Sequence, residues 1–314
     1  MSGFQTSSNG TAWTRNTLIG SLTETIISCA FDGTSRWIFA TSTGRTFYST
    51  DDGATWTEGG TLNGDGFSVC KIYYSAAVSL WIGLADDAIN TSTDGTTWTL
   101  RRATGNDQMY DVVDDGTTVV AVGQDGRIYT STNGTTWTLR TPGSSYGGDF
   151  RYIIFEESLF VAAGEIGGGD DLVIQTSPDG TTWTQRLTTS GSFVGEPVGL
   201  IYDGSDFICY IQSSGAGDTY TSADGLTWSA DNAPNFVQYG GAPDWDTFPF
   251  YPHYVDYGIY DEGGPDEQWI AMSYPGPSDD DIIYRSVDGF SFSRTGMSNP
   301  AGFEPFLTGI YVHK

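Results

Sequence analysis

Lysine is almost absent from this chain. Only Lys71 and Lys314 occur among 13 basic residues, against 39 acidic residues, and the formal net charge is −26. Proteins that bind nucleic acid cluster Lys and Arg into a basic surface, whereas the arginines here are dispersed among predicted turns and strands. Nucleic acid is therefore excluded as a partner. The acidity favours solubility, or a basic or cation-bridged partner.

Cysteine and long apolar runs are also scarce. The three cysteines, Cys29, Cys70 and Cys209, each lie in an apolar, strand-like run without the spacing of a disulfide framework or a metal site. Buried free thiols are therefore expected. No stretch approaches the roughly 20 apolar residues of a membrane-spanning helix, and the first residues lack the basic and apolar regions of a signal peptide. These absences predict a chain that folds in a cytoplasm and does not insert into a membrane.

A short string that ends in an aromatic residue occurs seven times. Each copy has Asp-Gly or Asn-Gly near its centre, a strong short signal for a β-hairpin turn. Successive aromatic residues lie 43, 42, 39, 46, 45 and 64 residues apart, about the length of one four-stranded propeller blade. The aromatic side chain is predicted to pack against the neighbouring blade. The copies are 7–13, 49–56, 92–98, 131–137, 177–183, 222–228 and 286–292.

The copy Ser-Thr-Asp-Asp-Gly-Ala-Thr-Trp at 49–56 resembles the Asp-box, or BNR repeat, of sialidase-type, sortilin-type and xyloglucanase-type β-propellers. The repeats are also similar in style to those of phage structural proteins with BNR-type propellers. The resemblance implies a structural role for the repeated turns. The residues concerned are Asp51, Gly53, Trp56, Asp94, Gly95, Trp98, Asn133, Gly134, Trp137, Asp179, Gly180, Trp183, Asp224, Gly225, Trp228, Asp288, Gly289 and Phe292.

The predicted fold is all-β, a seven-bladed β-propeller of four-stranded antiparallel blades that forms one domain over residues 1–314. Each interval between repeats contains two apolar runs and the strands that flank the repeat. The N-terminal segment 3–13 and the C-terminal run Phe306–Val312 are expected to close the ring in a shared blade, which would leave no exposed edge. Two alternatives stay open: a six-bladed ring with appended ends, and a closing blade completed by a partner's strand.

No catalytic residue is assigned from the sequence. A sialidase-like site needs three inward arginines, and the chain has no Arg-Ile-Pro motif near its start. The arginines beside turns or loops are Arg15, Arg36, Arg45, Arg127, Arg151 and Arg285. A glycoside hydrolase needs two carboxylates about 5–10 Å apart, and the abundance of Asp and Glu leaves that choice open.

In a propeller, the loops that join second to third strands share one face with the loops between blades. Acidic residues recur in the first kind of loop: Asp86, Asp87, Asp125, Asp170, Asp171, Asp218, Asp279, Asp280 and Asp281. Carboxylate oxygens suit Ca²⁺ or Mg²⁺, so Asp170, Asp171, Asp279, Asp280 and Asp281 are candidate metal ligands. None has EF-hand-like spacing, and solvated acidic loops are the alternative, with no cofactor.

An aromatic insertion at 229–252 falls in a loop between blades, on the same predicted face. Aromatic rings stack on sugars and carboxylates accept from sugar hydroxyls, so the insertion is a candidate glycan-binding platform. A docking patch for another subunit and a lid over the central channel are the alternatives. The neighbouring His253 is expected to be structural. The candidate binding residues are Phe236, Tyr239, Asp244, Trp245, Asp246, Phe248, Phe250 and Tyr251.

These features predict a non-catalytic recognition or structural module. The favoured interpretation is a phage virion component (capsid decoration, tail or fibre), assembled in the host cytoplasm, that binds surface polysaccharide or other virion proteins by multivalent contacts. A homo-oligomer is compatible with this role. One alternative is a glycoside hydrolase acting on an extracellular polysaccharide. Another is a cytoplasmic assembly factor, similar to the photosystem-assembly propellers with Asp boxes.

Overall fold

The computed structural model describes residues 24, 26–63, 69–103, 108–143, 148–166, 171–189, 196–212 and 218–231. It also describes the backbone of strands at 3–6, 14–17, 235–237, 252–258, 268–273, 282–286 and 291–296. Within these residues the 3-10 turn Gln124–Gly126 is the one helical element. The same residues include no helix long and apolar enough to cross a membrane. The predicted all-β class is confirmed.

Five sheets share one plan, in which four antiparallel strands follow each other in chain order. Sheet one has β3 (Ile26–Phe31), β4 (Trp37–Thr41), β5 (Arg45–Ser49) and β6 (Thr57–Thr61). Sheet two has β7 (Val69–Ser75), β8 (Leu80–Ala85), β9 (Ala88–Ser92) and β10 (Thr99–Ala103). Sheet three has β11 (Met109–Asp114), β12 (Val119–Gly123), β13 (Ile128–Ser131) and β14 (Thr138–Arg140). Sheet four has β15 (Asp149–Glu156), β16 (Leu159–Ile166), β17 (Asp171–Ser177) and β18 (Thr184–Thr188). Sheet five has β19 (Glu196–Tyr202), β20 (Phe207–Gln212), β21 (Asp218–Ser222) and β22 (Ser229–Asp231).

The other described strands form two further sheets. Sheet six pairs β24 (Pro252–Gly258), β25 (Gln268–Ser273), β26 (Ile282–Ser286) and β27 (Ser291–Gly296) in antiparallel order, and β23 (Asn235–Val237) adds a parallel strand beside β27. A two-stranded sheet pairs β1 (Gly3–Thr6) with β2 (Thr14–Thr17). The predicted closing strand Phe306–Val312 lies outside the described residues, so the count of seven blades stays a prediction.

The core lies between successive sheets. The middle strands β8 and β12 are buried at every position. Both are continuous apolar runs, as is typical of strands in a sheet that is covered on both faces. Between sheets two and three, Ile82 and Leu84 pack with Val112, Val119 and the repeated tryptophan Trp137. Equivalent clusters join sheets one and two, three and four, and four and five. The first strands β3, β7, β11, β15, β19 and β24 lie side by side along the chain, and are called the inner strands below; the fourth strands are called the outer strands.

The described cysteines agree with the expectation of free thiols. Cys209 is fully buried and Cys29 is partly buried, and neither forms a disulfide. Burial raises the pKa of the Cys29 thiol to about 12 and raises that of Cys209 as well. Both thiols are therefore protonated at neutral pH and act as small apolar groups in the core.

Candidate functional site

The sheets have two faces with different loops. The repeated turns lie between third and fourth strands, at the same ends of the sheets as the connections between first and second strands; this end is called the turn face. The repeated turns of sheets two to five contact the preceding sheet there; for example, Gly95 packs against Ile38, and Gly134 against Leu80. Arg36 of sheet one also donates to the carbonyl oxygen of Asp94 in the next sheet. The opposite end, where the chain passes from sheet to sheet, is called the loop face.

The carboxylates of the repeated turns are occupied by the turns themselves. In the turn of sheet two, Asp94 Oδ1 accepts from the backbone N–H groups of Thr96 and Thr97, each at 2.8 Å, and from Ser92 Oγ at 2.9 Å. Asn133, Asp179 and Asp224 accept from their turns in the same way. Because these bonds favour the charged carboxylate, the pKa of Asp179 falls to about 2. These groups fix the hairpins and are not available for catalysis.

Each of the six inner strands contains a β-bulge near the loop face. The register shifts leave one unpaired position per strand, and these positions are Ile27, Cys70, Tyr110, Arg151, Val198 and His253. A bulge re-aims its side chain out of the regular alternation. Two of the bulge residues, Tyr110 of sheet three and Arg151 of sheet four, meet at the seam between their sheets.

Tyr110, Asp149, Arg151 and Glu165 form a compact group at this seam, which we call the Arg151 cluster. Arg151 donates to Glu165 Oε1 from Nε at 3.1 Å and from Nη2 at 2.7 Å. Its Nη2 also lies 3.2 Å from Asp149 Oδ2. The guanidinium carbon lies 4.3 Å from the centre of the Tyr110 ring, and the Tyr110 hydroxyl donates to Asp149 Oδ2 at 3.0 Å. These contacts fix the orientation of the Arg151 and Tyr110 side chains.

The electrostatics of the cluster depend on burial. Glu165 is 5% exposed, and burial raises the pKa of its carboxyl, an effect that the Arg151 hydrogen bond offsets only in part. Burial alone would lower the pKa of Arg151, but the hydrogen bond and charge of Glu165 outweigh it and raise that pKa. The side chain of Arg151 keeps 31% of its surface exposed. The cluster therefore presents one oriented cation to solvent above two carboxylates.

A second polar row joins the inner strands nearer their middles. Lys71 Nζ lies 3.1 Å from Asp111 Oδ1, and Asp111 Oδ2 accepts from the backbone N–H of Ile153 at 3.0 Å. Ser28 Oγ accepts from the backbone N–H of Ile72 at 2.9 Å. Each contact crosses from one inner strand to the next, and Asp111 and Ser28 each accept from a backbone N–H at the edge of the neighbouring sheet. The row holds adjacent sheets in register.

The predicted metal ligands are not brought together within the described residues. Asp171 begins β17, and Asp170, Asp279, Asp280 and Asp281 lie outside the described residues. No group of three His, Cys, Asp or Glu side chains suited to a metal ion occurs in the part of the chain that the structure describes. The Ca²⁺ site stays a prediction.

Most of the predicted aromatic platform also falls outside the described residues. This applies to Tyr239, Asp244, Trp245, Asp246, Phe248, Phe250 and Tyr251. Phe236 is placed by its backbone on β23, in register with Phe292 of the outer strand β27. The strands before and after the aromatic segment, β23 and β24, lie at opposite edges of sheet six, whose strand order is β23-β27-β26-β25-β24. A binding role for the segment stays a prediction.

The Arg151 cluster was not found as a site from the sequence. The sequence places Arg151 only among the arginines beside turns or loops, and no motif singles out Tyr110 or Glu165. The available signal was weak: a polar residue stands at the start of each of two apolar strands, at 110 and 151, about one repeat apart. Recognising it requires the bulge that turns both residues toward the same seam.

No protein-family model matches the chain. No curated protein sequence matches it either. Solved structures do. One is a structure of YCF48 bound to a D1 peptide, with a TM-score of 0.58 at 18% identity, over 88% of this chain and 84% of that one. The fold is that of a β-propeller.

Two other propeller-like structures align over most of this chain. A protein from Lactobacillus plantarum aligns with a TM-score of 0.60 at 13% identity, over 90% of this chain and 87% of that one. An ancestral GH74 enzyme aligns with a TM-score of 0.60 at 12% identity, over 83% of this chain but 36% of the enzyme. At these identities the likeness is one of fold, and fold alone does not assign activity.

Proposed function

We propose that the chain is a non-catalytic recognition module that binds a surface glycan on its loop face, around the Arg151 cluster. The observation that carries the proposal is the orientation of Arg151. Its guanidinium is held over Tyr110 by two carboxylates while 31% of its side chain faces solvent. A side chain that is already fixed loses little entropy on binding.

The charge of the cluster favours a ligand rich in hydroxyl groups. The cluster has two carboxyl groups, Asp149 and Glu165, against the single positive charge of Arg151. The negative charge of Glu196 also acts on Glu165. Such a surface repels free anions and offers the partly exposed Asp149 as an acceptor to sugar hydroxyls, beside one cationic donor. The predicted aromatic residues of 229–252 would supply the stacking surface for the same glycan.

The virion role is the narrower form of this proposal. It is supported by the style of the repeats, which are rich in Thr, Ser and Gly and poor in lysine. In that form the module folds in the host cytoplasm and presents its loop face from a capsid decoration, tail or fibre. A protein partner is the alternative occupant of the face, as in the YCF48 structure, whose ligand is a peptide.

A microbial glycan array tests the proposal. The wild-type protein is compared with Arg151→Lys, which keeps the charge but removes the bidentate fork, and with a Trp245→Ala/Phe250→Ala variant. Arg36→Lys on the turn face is the matched control. We expect binding that falls about tenfold or more in Arg151→Lys and is unchanged in the control. Binding unaffected by Arg151→Lys, or no binding by the wild-type protein, would contradict the proposal and favour a protein partner.

A glycoside hydrolase is a second candidate, favoured by one observation. Glu165 has a raised pKa, and a second carboxylate, Asp149, pairs with the same Arg151; such enzymes use a general acid of raised pKa together with a second carboxylate. The 5% exposure of Glu165 argues against direct contact with a glycosidic oxygen. Release of reducing ends from a panel of polysaccharides, abolished by Glu165→Gln, would establish the hydrolase in place of the recognition module.

A further inference from the structure

Three arginines occupy the same position on the outer strands of three adjacent sheets. Arg101, Arg140 and Arg186 lie on β10, β14 and β18. Each stands three residues after the repeated tryptophan, in the strings Trp-Thr-Leu-Arg at 98–101 and 137–140 and Trp-Thr-Gln-Arg at 183–186. We call these three residues the rim row.

Each arginine of the rim row is held by the same contact. The Nε group donates to the hydroxyl of a threonine on the neighbouring strand, at 2.7 Å for Arg101 and Thr91 and 2.7 Å for Arg140 and Thr130. The distance is 2.8 Å for Arg186 and Thr176. All three threonines are buried. The bond holds the guanidinium group through Nε, while Arg101 and Arg186 stay exposed and Arg140 stays partly exposed.

The backbone supports this orientation in two of the sheets. The register of β10 against β9 shifts between Leu100 and Arg102, which leaves Arg101 at a bulge. The register of β18 against β17 shifts between Gln185 and Leu187, which leaves Arg186 at the equivalent place. Bulges on edge strands re-aim a side chain.

The rim row is a basic surface on an acidic protein. The strands β10, β14 and β18 carry Arg101, Arg102, Arg140 and Arg186 and contain no Asp or Glu, although the chain has 39 acidic residues. Arg102 stacks on the Tyr129 ring of the next sheet at 4.7 Å. Within the described residues no carboxylate forms an ion pair with a member of the rim row.

The limits of the row are set by the outer strands on either side. The strand β6 of sheet one has Gly59 at the third position after its tryptophan and carries Glu58. The strand β22 of sheet five has Asp231 at the equivalent position. Among the five sheets whose side chains are described, the basic surface therefore covers sheets two to four.

We propose that the rim row binds an acidic polysaccharide through its three guanidinium groups. A guanidinium anchored through Nε still offers a two-pronged donor that matches a carboxylate or sulfate group. The same guanidinium group recurs once per sheet. A polymer with a repeating charged group therefore matches the rim row better than the irregular surface of a folded protein would. Simultaneous contacts along one polymer strengthen binding beyond any single contact. This inference goes beyond the proposed function, because the outer strands are remote from the inner-strand cluster on the loop face.

Binding to polygalacturonate and dextran sulfate tests the proposal, with neutral dextran and polyglutamate as comparison polymers. The full chain is compared with an Arg101→Gln/Arg140→Gln/Arg186→Gln variant and with the corresponding triple lysine variant. The matched control is Arg15→Gln/Arg285→Gln/Arg294→Gln, which changes the net charge equally. Melting temperatures verify that each variant is folded.

We expect polygalacturonate or dextran sulfate to bind the wild-type protein at low salt, with affinity at least tenfold lower in the triple glutamine variant. The triple lysine variant should bind severalfold more weakly than wild type, while the triple control variant retains binding. Equal binding by the wild-type and triple glutamine proteins would overturn the proposal. Equal affinity for polyglutamate would also overturn it and assign the surface to an acidic protein partner.

Discussion

The Arg151 guanidinium lies 4.3 Å from the centre of the Tyr110 ring, although the two residues belong to different sheets. Both residues stand at the bulge of an inner strand. A cation placed over an aromatic face is attracted by the ring, and the Tyr110 hydroxyl and Arg151 share Asp149 as a further partner. The contact thus joins sheets three and four at the face proposed to bind ligand.

The buried carboxyl of Glu165 should make stability depend on pH in an unusual direction. Its pKa is raised in the folded protein, so the folded state holds the proton more tightly than the unfolded state does. This group therefore contributes stability at low pH that is lost as the pH rises through the raised pKa. The melting temperature of wild type minus that of Glu165→Gln should increase as the pH falls from 7 to 5.

Glu58→Gln is the matched control for that measurement. The exposed Glu58 pairs with Arg45, and the hydrogen bond from Arg45 lowers its pKa. Its small contribution is therefore present at neutral pH and lost as the pH falls. If the difference in melting temperature between wild type and Glu165→Gln does not depend on pH, or decreases as the pH falls as it should for Glu58→Gln, the pKa of Glu165 is not raised.

The repeated turns should limit stability in acid. Backbone and hydroxyl donors lower the pKa of Asp51 and Asp179 to about 2, and that of Asp94 still further. Their stabilisation is complete above the ordinary carboxyl range near 4 and is lost as the pH falls toward 2. The melting temperature should drop over that interval, and less steeply in an Asp94→Asn/Asp179→Asn variant. A variant with the wild-type slope would contradict this account.

Removal of a repeated tryptophan should be strongly destabilising. Trp183 is 5% exposed, packs with Phe160, and donates from Nε1 to the carbonyl oxygen of Gly180 at 2.9 Å. Trp183→Ala should lower the free energy of unfolding by about 3–5 kcal/mol, measured by denaturant titration. Leu226→Ala, at a side chain that is 42% exposed, should change it by about 0.5 kcal/mol or less. Equal effects would contradict the packing described here.

Alanine substitutions at two glycines should distinguish the cost of steric overlap from the cost of backbone strain. A Cβ at Gly60 would overlap the backbone carbonyl oxygen of Thr96 in the next sheet, whereas one at Gly116 has open space but a φ of +87°. Gly116→Ala should cost about 1–2 kcal/mol through the left-handed backbone alone. Gly60→Ala should cost more, because two sheets must move apart. The order of their melting temperatures checks this, and Gly116→Ala melting below Gly60→Ala would reverse it.

The sequence was sufficient for the β class because one turn signal is repeated at nearly constant spacing. It also predicts a strand that flanks each repeat, and in sheet one this strand, β6, begins at Thr57, just after the repeated tryptophan Trp56. The reason is local: Thr55 donates its backbone N–H and its hydroxyl to Asp51, and so belongs to the turn. The strands β10, β14, β18 and β22 likewise begin one residue after the repeated tryptophan.

The Arg151 cluster and the rim row depend on contacts that a linear pattern does not show. Arg151 meets Tyr110 only because bulges alter the alternation of two strands. The arginines are dispersed along the sequence, but Arg101, Arg140 and Arg186 share one place in the repeat. Counting positions from each tryptophan would have revealed that row, whereas the bonds to Thr91, Thr130 and Thr176 required the sheet register.

Hydrogen exchange of the protein with the strongest glycan from the array tests the central claim most directly. The account predicts slower exchange at 109–112 and 149–152, where the inner strands reach the loop face, and unchanged exchange in the repeated turn at 93–98. Protection confined to the repeated turns, or no protection at the inner strands, would contradict a ligand site on the loop face.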